Sequence, residues 1–527
     1  MLALMSDDEP EVVRTFNMLE SSYRTANPWR LESKQEQATW SKVLERSRPF
    51  VDHAEAINRS LTTGLNDAYV GKEAELVAAG IEQDLVRSLN TAGDLKRYQV
   101  RESDSSIVFP YTQDAQGEPS LVELDRYPGA RLYFESIRAR LEARRWYGKT
   151  VVEAGITWYG YLYISKHLLK PKLMFPKIAS TTLFALDPTG ETVLLEPAYV
   201  VALSSECSEY FLLACLNSKL LTYRIRRETT TLSGGFMELQ VQYVERLPIC
   251  DISFTTPLDE REQQAAKGRD LAKRAIRDPQ TPSISYAAFL ATTVGSWLDA
   301  RLSAKPEQSD VVHDLLAHLA ERMIAMHKER QQYEEALDPF KYIDKGAPFV
   351  PFPEAFAEEI KLGQRVSEPV DLGAVHHDID GLRLVPAGDR WELQVQLKKR
   401  DPESEWREWQ YEEGSTHIAR EWVPVYQFAM DEAKARYYQH ALPVRDDFAE
   451  AGGFPGGYTR STAKKLQKTE VPAFDPDADL SQMVDLSEKL TAVRARIAAT
   501  DRLIDLIVYR LYGLTVEEVA IVEGRAP

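Results

Sequence analysis

Gln240 and Gln242 stand two positions apart, with Tyr243 next, just beyond the short-side-chained run Thr229-Thr230-Thr231-Leu232-Ser233-Gly234-Gly235. A glutamine amide carries both a donor and an acceptor, which is what the major-groove edge of adenine requires for bidentate readout. Gly234 and Gly235 lack a Cβ, so the backbone there can come close to a second backbone. The same pair also suits a plain hairpin turn. Cations able to meet phosphates fall in two clusters. Between Arg131 and Lys177 ten Lys/Arg face three Glu, and Lys219, Arg224, Arg226 and Arg227 follow. Arg144, Arg145, Lys149, Lys172, Lys177, Arg226 and Arg227 are the candidates for phosphate or guanine contacts. The stretch 138–145 reads equally well as a solvated helix face.

Catalytic chemistry is harder to find. A nuclease centre needs two carboxylates and a lysine around Mg²⁺, and the nearest approach is Asp378 or Asp389 with Gln396-Leu397-Lys398 on an expected strand. The Asp389 spacing is short and glutamine is a poor ligand. His313, His318 and His327 lie five and nine residues apart, which does not direct them at one metal from one helix. They are expected to be surface or helix-packing histidines. His376-His377-Asp378 would point to alternate sides of a strand. No phosphate-binding Gly-x-x-x-x-Gly-Lys loop and no Gly-x-Ser-x-Gly elbow occurs. Cys207, Cys215 and Cys250 are too few and too scattered for a disulfide framework or a zinc site.

The elements that must position these residues belong to several domains, since 527 residues exceed what one core serves. The expected class is α+β: a mixed α/β recognition domain flanked by helical segments and a smaller β-rich module. The expected divisions are 1–48 helical, 49–251 the recognition domain, 252–345 helical, 346–475 β-rich with a loop, and 476–527 helical. Strands are expected at 107–109, 173–175 and 199–203, and helices at 208–226, 259–277, 287–304 and 309–335. Gly513 is expected to cap one C-terminal helix and Thr515 to open the last one, with Glu518 in a capping box. Thr63-Gly64-Leu65-Asn66-Asp67 has turn chemistry, and Trp158, Tyr159, Tyr161 and Tyr163 read as packing aromatics.

The net charge is −17, yet residues 49–250 hold 22 basic against 25 acidic residues, so most of the excess acidity lies elsewhere. A locally basic face can bind duplex DNA when a partner adds positive charge. No apolar run approaches the length of a membrane span, and the start has neither a basic n-region nor an apolar h-region. A reducing cytoplasm is the expected location.

The ordered motifs Thr63–Val70, Gly93-Asp94-Leu95-Lys96-Arg97-Tyr98, Ile107-Val108-Phe109-Pro110-Tyr111, Trp158-Tyr159, Lys172–Ile178, Leu216-Asn217-Ser218-Lys219, Gly234-Gly235-Phe236 and Leu247-Pro248-Ile249 together resemble a known family. It is the TaqI-like specificity (target-recognition) domain of adenine-specific DNA methyltransferases and Type IIG restriction–modification enzymes. The resemblance extends to 310–320 and to Ile504-Asp505-Leu506-Ile507-Val508-Tyr509-Arg510-Leu511-Tyr512-Gly513-Leu514-Thr515. It implies a domain that reads DNA sequence without performing chemistry. The family's methyltransferase half holds the flipped adenine with an (Asn/Asp)-Pro-Pro-(Tyr/Phe) loop; Asn27-Pro28-Trp29 and Asp338-Pro339-Phe340 lack the second proline. Gly452–Gly457 follows no convincing strand for a cofactor turn.

The expectation is a non-catalytic specificity subunit, or detached C-terminal half, of a Type IIG-like adenine methylation, restriction or phage-defence system. It would bind double-stranded DNA with a methyltransferase chain that carries S-adenosylmethionine, and with a nuclease subunit as a further expected partner. No cofactor, metal or membrane is expected for this chain itself. A regulatory or inhibitory protein that binds a DNA-modifying partner is the alternative, and a metal-dependent nuclease near Asp378–Lys398 the third reading.

Overall fold

A computed structural model describes residues 33–229, 232, 235–337, 349–365, 378–399, 419–442, 466–474 and 481–524. The fold is α+β. The chain divides into two compact units: Met1–Thr231, Phe236–Ala325 and Ile497–Pro527 form the first, and Leu232–Gly235 and Met326–Arg496 the second. Both main boundaries fall inside long helices, Ser309–Ala336 and Ser481–Leu511.

The first unit is organised by a four-stranded antiparallel sheet in the order Ala185–Asp187, Lys172–Pro176, Ala198–Leu203, Ala54–Arg59. Leu173 stands opposite both Leu186 and Val201, and Val201 opposite Ile57. Every residue of Lys172–Pro176 is buried, as expected for an unbroken apolar strand covered on both faces. A second sheet joins Val193–Leu194, Val86–Asn90, Ser106–Val108 and Val70–Gly71. One core serves both sheets, including Tyr69, Phe109, Tyr161, Met174, Leu194 and Val200. Tyr159, Tyr161 and Tyr69 each satisfy the phenol on a backbone carbonyl, so these aromatics are packing residues.

The two ends of the 47–250 stretch are tied together, with Ser47–Pro49 pairing antiparallel to Pro248–Cys250. The stretch expected as one helix at 208–226 is two, Glu209–Leu216 and Lys219–Glu228. The break has a local cause. The Asn217 side chain exchanges two 2.9 Å hydrogen bonds with the Phe184 backbone, and Ser218 caps the second helix. Likewise 287–304 is two helices, Tyr286–Leu290 and Thr293–Leu302, the second capped by Thr292.

The C-terminal helix packs into the same unit. The Tyr512 hydroxyl donates to the Pro248 carbonyl at 2.8 Å and accepts from the Cys250 N–H at 2.9 Å. Asp505 accepts from the Lys219 N–H at 2.8 Å. Gly513 ends this helix at φ +72, and Thr515 and Glu518 form the expected capping box on Val516–Val522. His313 is a packing residue: its Nε2 accepts from the Ser208 N–H, and its ring lies against Phe211 and Phe254.

The second unit contains an antiparallel sheet in the order Gln364–Arg365, Ala419–Phe428, Arg390–Lys399, Asp378–Ala387. Leu382, Leu384, Leu393, Val395 and Val425 bury one face beneath Tyr438 of the helix Glu432–Ala441. Within this unit Arg496 pairs with Glu329, and Arg494 with Glu334, at 2.8 Å each. No helix among the described residues is long and apolar enough to cross a membrane.

Candidate nucleic-acid interface

Arg144 is the first surprise. Its side chain donates to the Leu141 carbonyl at 2.9 Å, the Thr63 carbonyl at 2.5 Å and the Trp158 carbonyl at 2.6 Å. It is buried, and desolvation lowers its pKa. It pins the turn at Gly64, where φ is +75 and an added Cβ would sit 2.2 Å from a Leu162 methyl. Asn66 and Asp67 open the following helix, Asn66–Tyr69. Lys172 is also buried, with its ammonium 2.5 Å from Asp187. Asp187 further accepts from Thr189, Gly190 and Thr192. These contacts correct the sequence expectation for two residues. Neither Arg144 nor Lys172 reaches solvent, so neither can meet a phosphate, and both hold the domain together.

Most of the remaining cations between Arg131 and Lys177 are neutralised. Arg131 pairs with Asp125 and Glu135, Arg138 with Glu142, Arg140 with Asp67, Lys170 with Glu118 and Lys177 with Glu238. Among the described residues of this stretch, Arg145, Lys149 and Lys166 have no carboxylate within ion-pair distance. In the second cluster Lys219 pairs with Asp505, Arg224 with Glu228 and Arg227 with Glu36. Exposed Arg226 donates to the Ser180 carbonyl at 2.6 Å.

Arg145 and Lys149 stand on the two strands of one short hairpin, Arg145–Trp146 paired with Lys149–Thr150. Next to its turn, the Trp146 ring stacks on Tyr163 at 6.3 Å and 16°. Tyr163 lies within electrostatic reach of Glu196 and Arg59, which pair at 3.5 Å. Arg59 in turn acts on Tyr199 and Lys177. Lys177 holds Glu238 at 3.0 Å, which raises the lysine pKa and lowers that of the acid.

The Gln240 side chain bonds Glu238, and Gln242 donates to the Gln240 amide oxygen at 2.9 Å. Trp146, Tyr163, Arg59, Lys177, Glu238, Gln240 and Gln242 thus follow one another as stacked, electrostatically coupled or hydrogen-bonded neighbours. A shallow cavity of about 530 Å³ opens beside it, lined by residues that include Thr62, Gly64, Asn66, Asp67 and Glu196. An aromatic platform, unpaired cations and amides of this kind suit duplex DNA, where cations position and amides read.

Tyr243 is half-buried in the helix Val241–Val244. Gly235 has φ +75 and belongs to the second unit, while Gly234 lies outside the described residues. Residues invisible to the sequence reading are Trp146 and Tyr147, whose Tyr-Gly turn is a weak hairpin signal, and the linkers Arg59, Glu196 and Glu238. Their roles depend on partners distant in sequence.

The nuclease candidate separates into two ends of one hairpin. Asp378 pairs in register with Lys398, but Asp389 sits in the turn next to Arg390. At about 3.3 Å per residue the Asp389-to-Lys398 span is roughly 30 Å, so these two cannot share an ion. The side chains of Asp378 and Lys398, residues His376 and His377, and 452–457 lie outside the description. Among the described residues no group of three His, Cys, Asp or Glu is placed to hold a metal.

Residues 94–249 match the TaqI-like C-terminal specificity domain. Over 252 residues, 47% of this chain, the sequence is 27% identical to the Type II methyltransferase M.PaeR7I of Pseudomonas aeruginosa. That match spans 41% of the relative's own length. A solved Type-I restriction-modification system S subunit from M. genitalium is 12% identical, with 68% of this chain and 83% of that one covered. Its TM-score is 0.19, too low to support any argument about this molecule.

Proposed function

We propose that this chain is the DNA sequence-specificity component of a Type IIG-like adenine methylation, restriction or phage-defence system. It acts with a methyltransferase chain that carries S-adenosylmethionine, and no residue here is assigned to that cofactor. A nuclease subunit is a further partner of the same assembly. The observation that carries the reading is the match of 94–249 to a TaqI-like C-terminal specificity domain; the exposed cations Arg145 and Lys149 and the linked amides Gln240 and Gln242 lie within that range.

In this reading the exposed cations fix the register on phosphates, while the glutamines meet base edges. The acidic remainder of the chain offers the docking surface for a basic partner. The test is co-purification from the native host followed by methylation-site sequencing. Recovery of a methyltransferase whose target motif depends on this chain is expected. A methylation pattern unchanged on its deletion would defeat the reading.

A further inference from the structure

Tyr147 sits at the tip of the 145–150 hairpin with 82% of its surface exposed. Its φ is +48 and that of Gly148 is +83, so both turn residues occupy the left-handed region, as in a type I′ turn. Asn-Gly is the pair such a turn favours; a tyrosine there is strained by its Cβ. The ring recovers little from the protein, its contact being an edge-to-face approach to Trp146 at 4.8 Å. Local strain with no packing return is the mark of a residue kept for an external contact.

The hairpin is held from its root up to the Trp146–Lys149 pair that closes its turn, and is open at its tip. Trp146 stacks on Tyr163, and Tyr163 is held by pairing with Thr62. Arg144, immediately before it, is anchored on three carbonyls. On the two strands Arg145 and Lys149 are exposed with no carboxylate within ion-pair distance, Glu153 feeling Arg145 only from farther off, in a stretch where most other cations are paired. Arg145 instead donates to the Gly148 carbonyl at 3.0 Å, which steadies the turn.

We propose that the 145–150 hairpin is a wedge for duplex DNA. Tyr147 stacks within the base column where a base is unstacked, and Arg145 and Lys149 grip the phosphates on either side. The proposal rests on the DNA-binding reading of this domain. A two-stranded ribbon has the width of a DNA groove. Inserting a ring between bases costs unstacking, which is smallest where a base is already displaced or missing. The geometry therefore assigns the tip to stacking and its flanks to the backbone.

The full chain is titrated at low salt with two duplexes identical except for one abasic position. Wild type is expected to bind the abasic duplex about tenfold tighter, the gain of a stacked aromatic. Tyr147→Phe keeps that preference. Tyr147→Asn relieves the turn, so it folds at least as well by thermal melting, yet loses the preference with its salt slope unchanged. Replacing Arg145 and Lys149 by Met weakens both duplexes alike and lowers the salt slope by about two. A Tyr147→Asn chain that retains the wild-type preference, or a wild type that shows none, overturns the wedge while leaving DNA binding intact. A wild type that binds neither duplex removes the DNA-binding reading itself.

Discussion

The Arg97 guanidinium holds both carboxylate oxygens of Asp501, at 2.6 and 3.0 Å, across 404 positions of sequence. It also donates to the Asn217 carbonyl at 2.6 Å. Two of the ordered motifs, 93–98 and 216–219, thus meet the long C-terminal helix Ser481–Leu511 at one arginine. Arg97→Ala should cost about 2 kcal/mol, the usual scale for charged hydrogen bonds lost on a part-buried group. Urea unfolding should show a lower midpoint with an unchanged slope; an unchanged midpoint would mean that the contact adds nothing.

Arg144 and Arg145 are neighbours with opposite assignments. Arg144→Met leaves the Thr63 and Trp158 carbonyls without their donor and should destabilise the fold by about 1–3 kcal/mol. Arg145→Met, which loses only an exposed hydrogen bond to the Gly148 carbonyl, should lower the melting temperature far less while flattening the salt dependence of DNA binding by about one phosphate contact. Parallel melting and titration of the two variants separate these effects. Equal melting temperatures would refute the structural assignment of Arg144.

Asp187 carries a pH dependence with a defined sign. Burial alone would raise its pKa, but Lys172 and the donors of Thr192 and Thr189 outweigh it and lower the value to about 2. Because the folded value lies below the unfolded one, its contribution is fully present above about pH 4 and is lost as pH falls towards 2. That contribution is about 2 kcal/mol. The stability gap between wild type and Asp187→Asn, measured by denaturant unfolding, should be wide at pH 6 and narrow progressively below pH 4. A gap constant with pH would contradict the pairing.

Asp505 should behave in the reverse sense. Burial and the neighbouring Asp501 raise its pKa, with Lys219 and Arg97 acting against them; Tyr98 and Tyr509 lie in the same surroundings. A carboxyl whose folded pKa is raised loses stability as pH rises through the range above the ordinary carboxylate value. Asp505→Asn should remove that decline, read as a flatter melting-temperature profile between mildly acidic and neutral pH. An unaltered profile would assign the decline to another group.

Sequence preference should reside in the linked amides. In a complex reconstituted with its methyltransferase, replacing Gln240 or Gln242 by Ala should relax one position of the target at about 1–3 kcal/mol of discrimination. Methylation-site sequencing reads the outcome. An unchanged motif with both replaced would move base readout to other residues of the domain.

The sequence by itself located much of the secondary structure. The apolar run at 173–175 lies inside the buried strand Lys172–Pro176, and the Gly513–Thr515–Glu518 punctuation ends one helix and begins another as its chemistry requires. Such features are legible because their causes lie within a few residues. The functional side was not legible in the same way. Sequence counting made Arg131 to Lys177 a basic stretch, but whether each cation is spent depends on acids such as Asp67, which lies 73 positions from Arg140, and Asp187, whose pairing buries Lys172. Only the tertiary structure decided that Arg144 and Lys172 are interior clasps, that Arg145 and Lys149 remain open, and that a strained Tyr147 stands between them. Charge neutralisation and burial are properties of neighbours in space, and the chain order does not contain them.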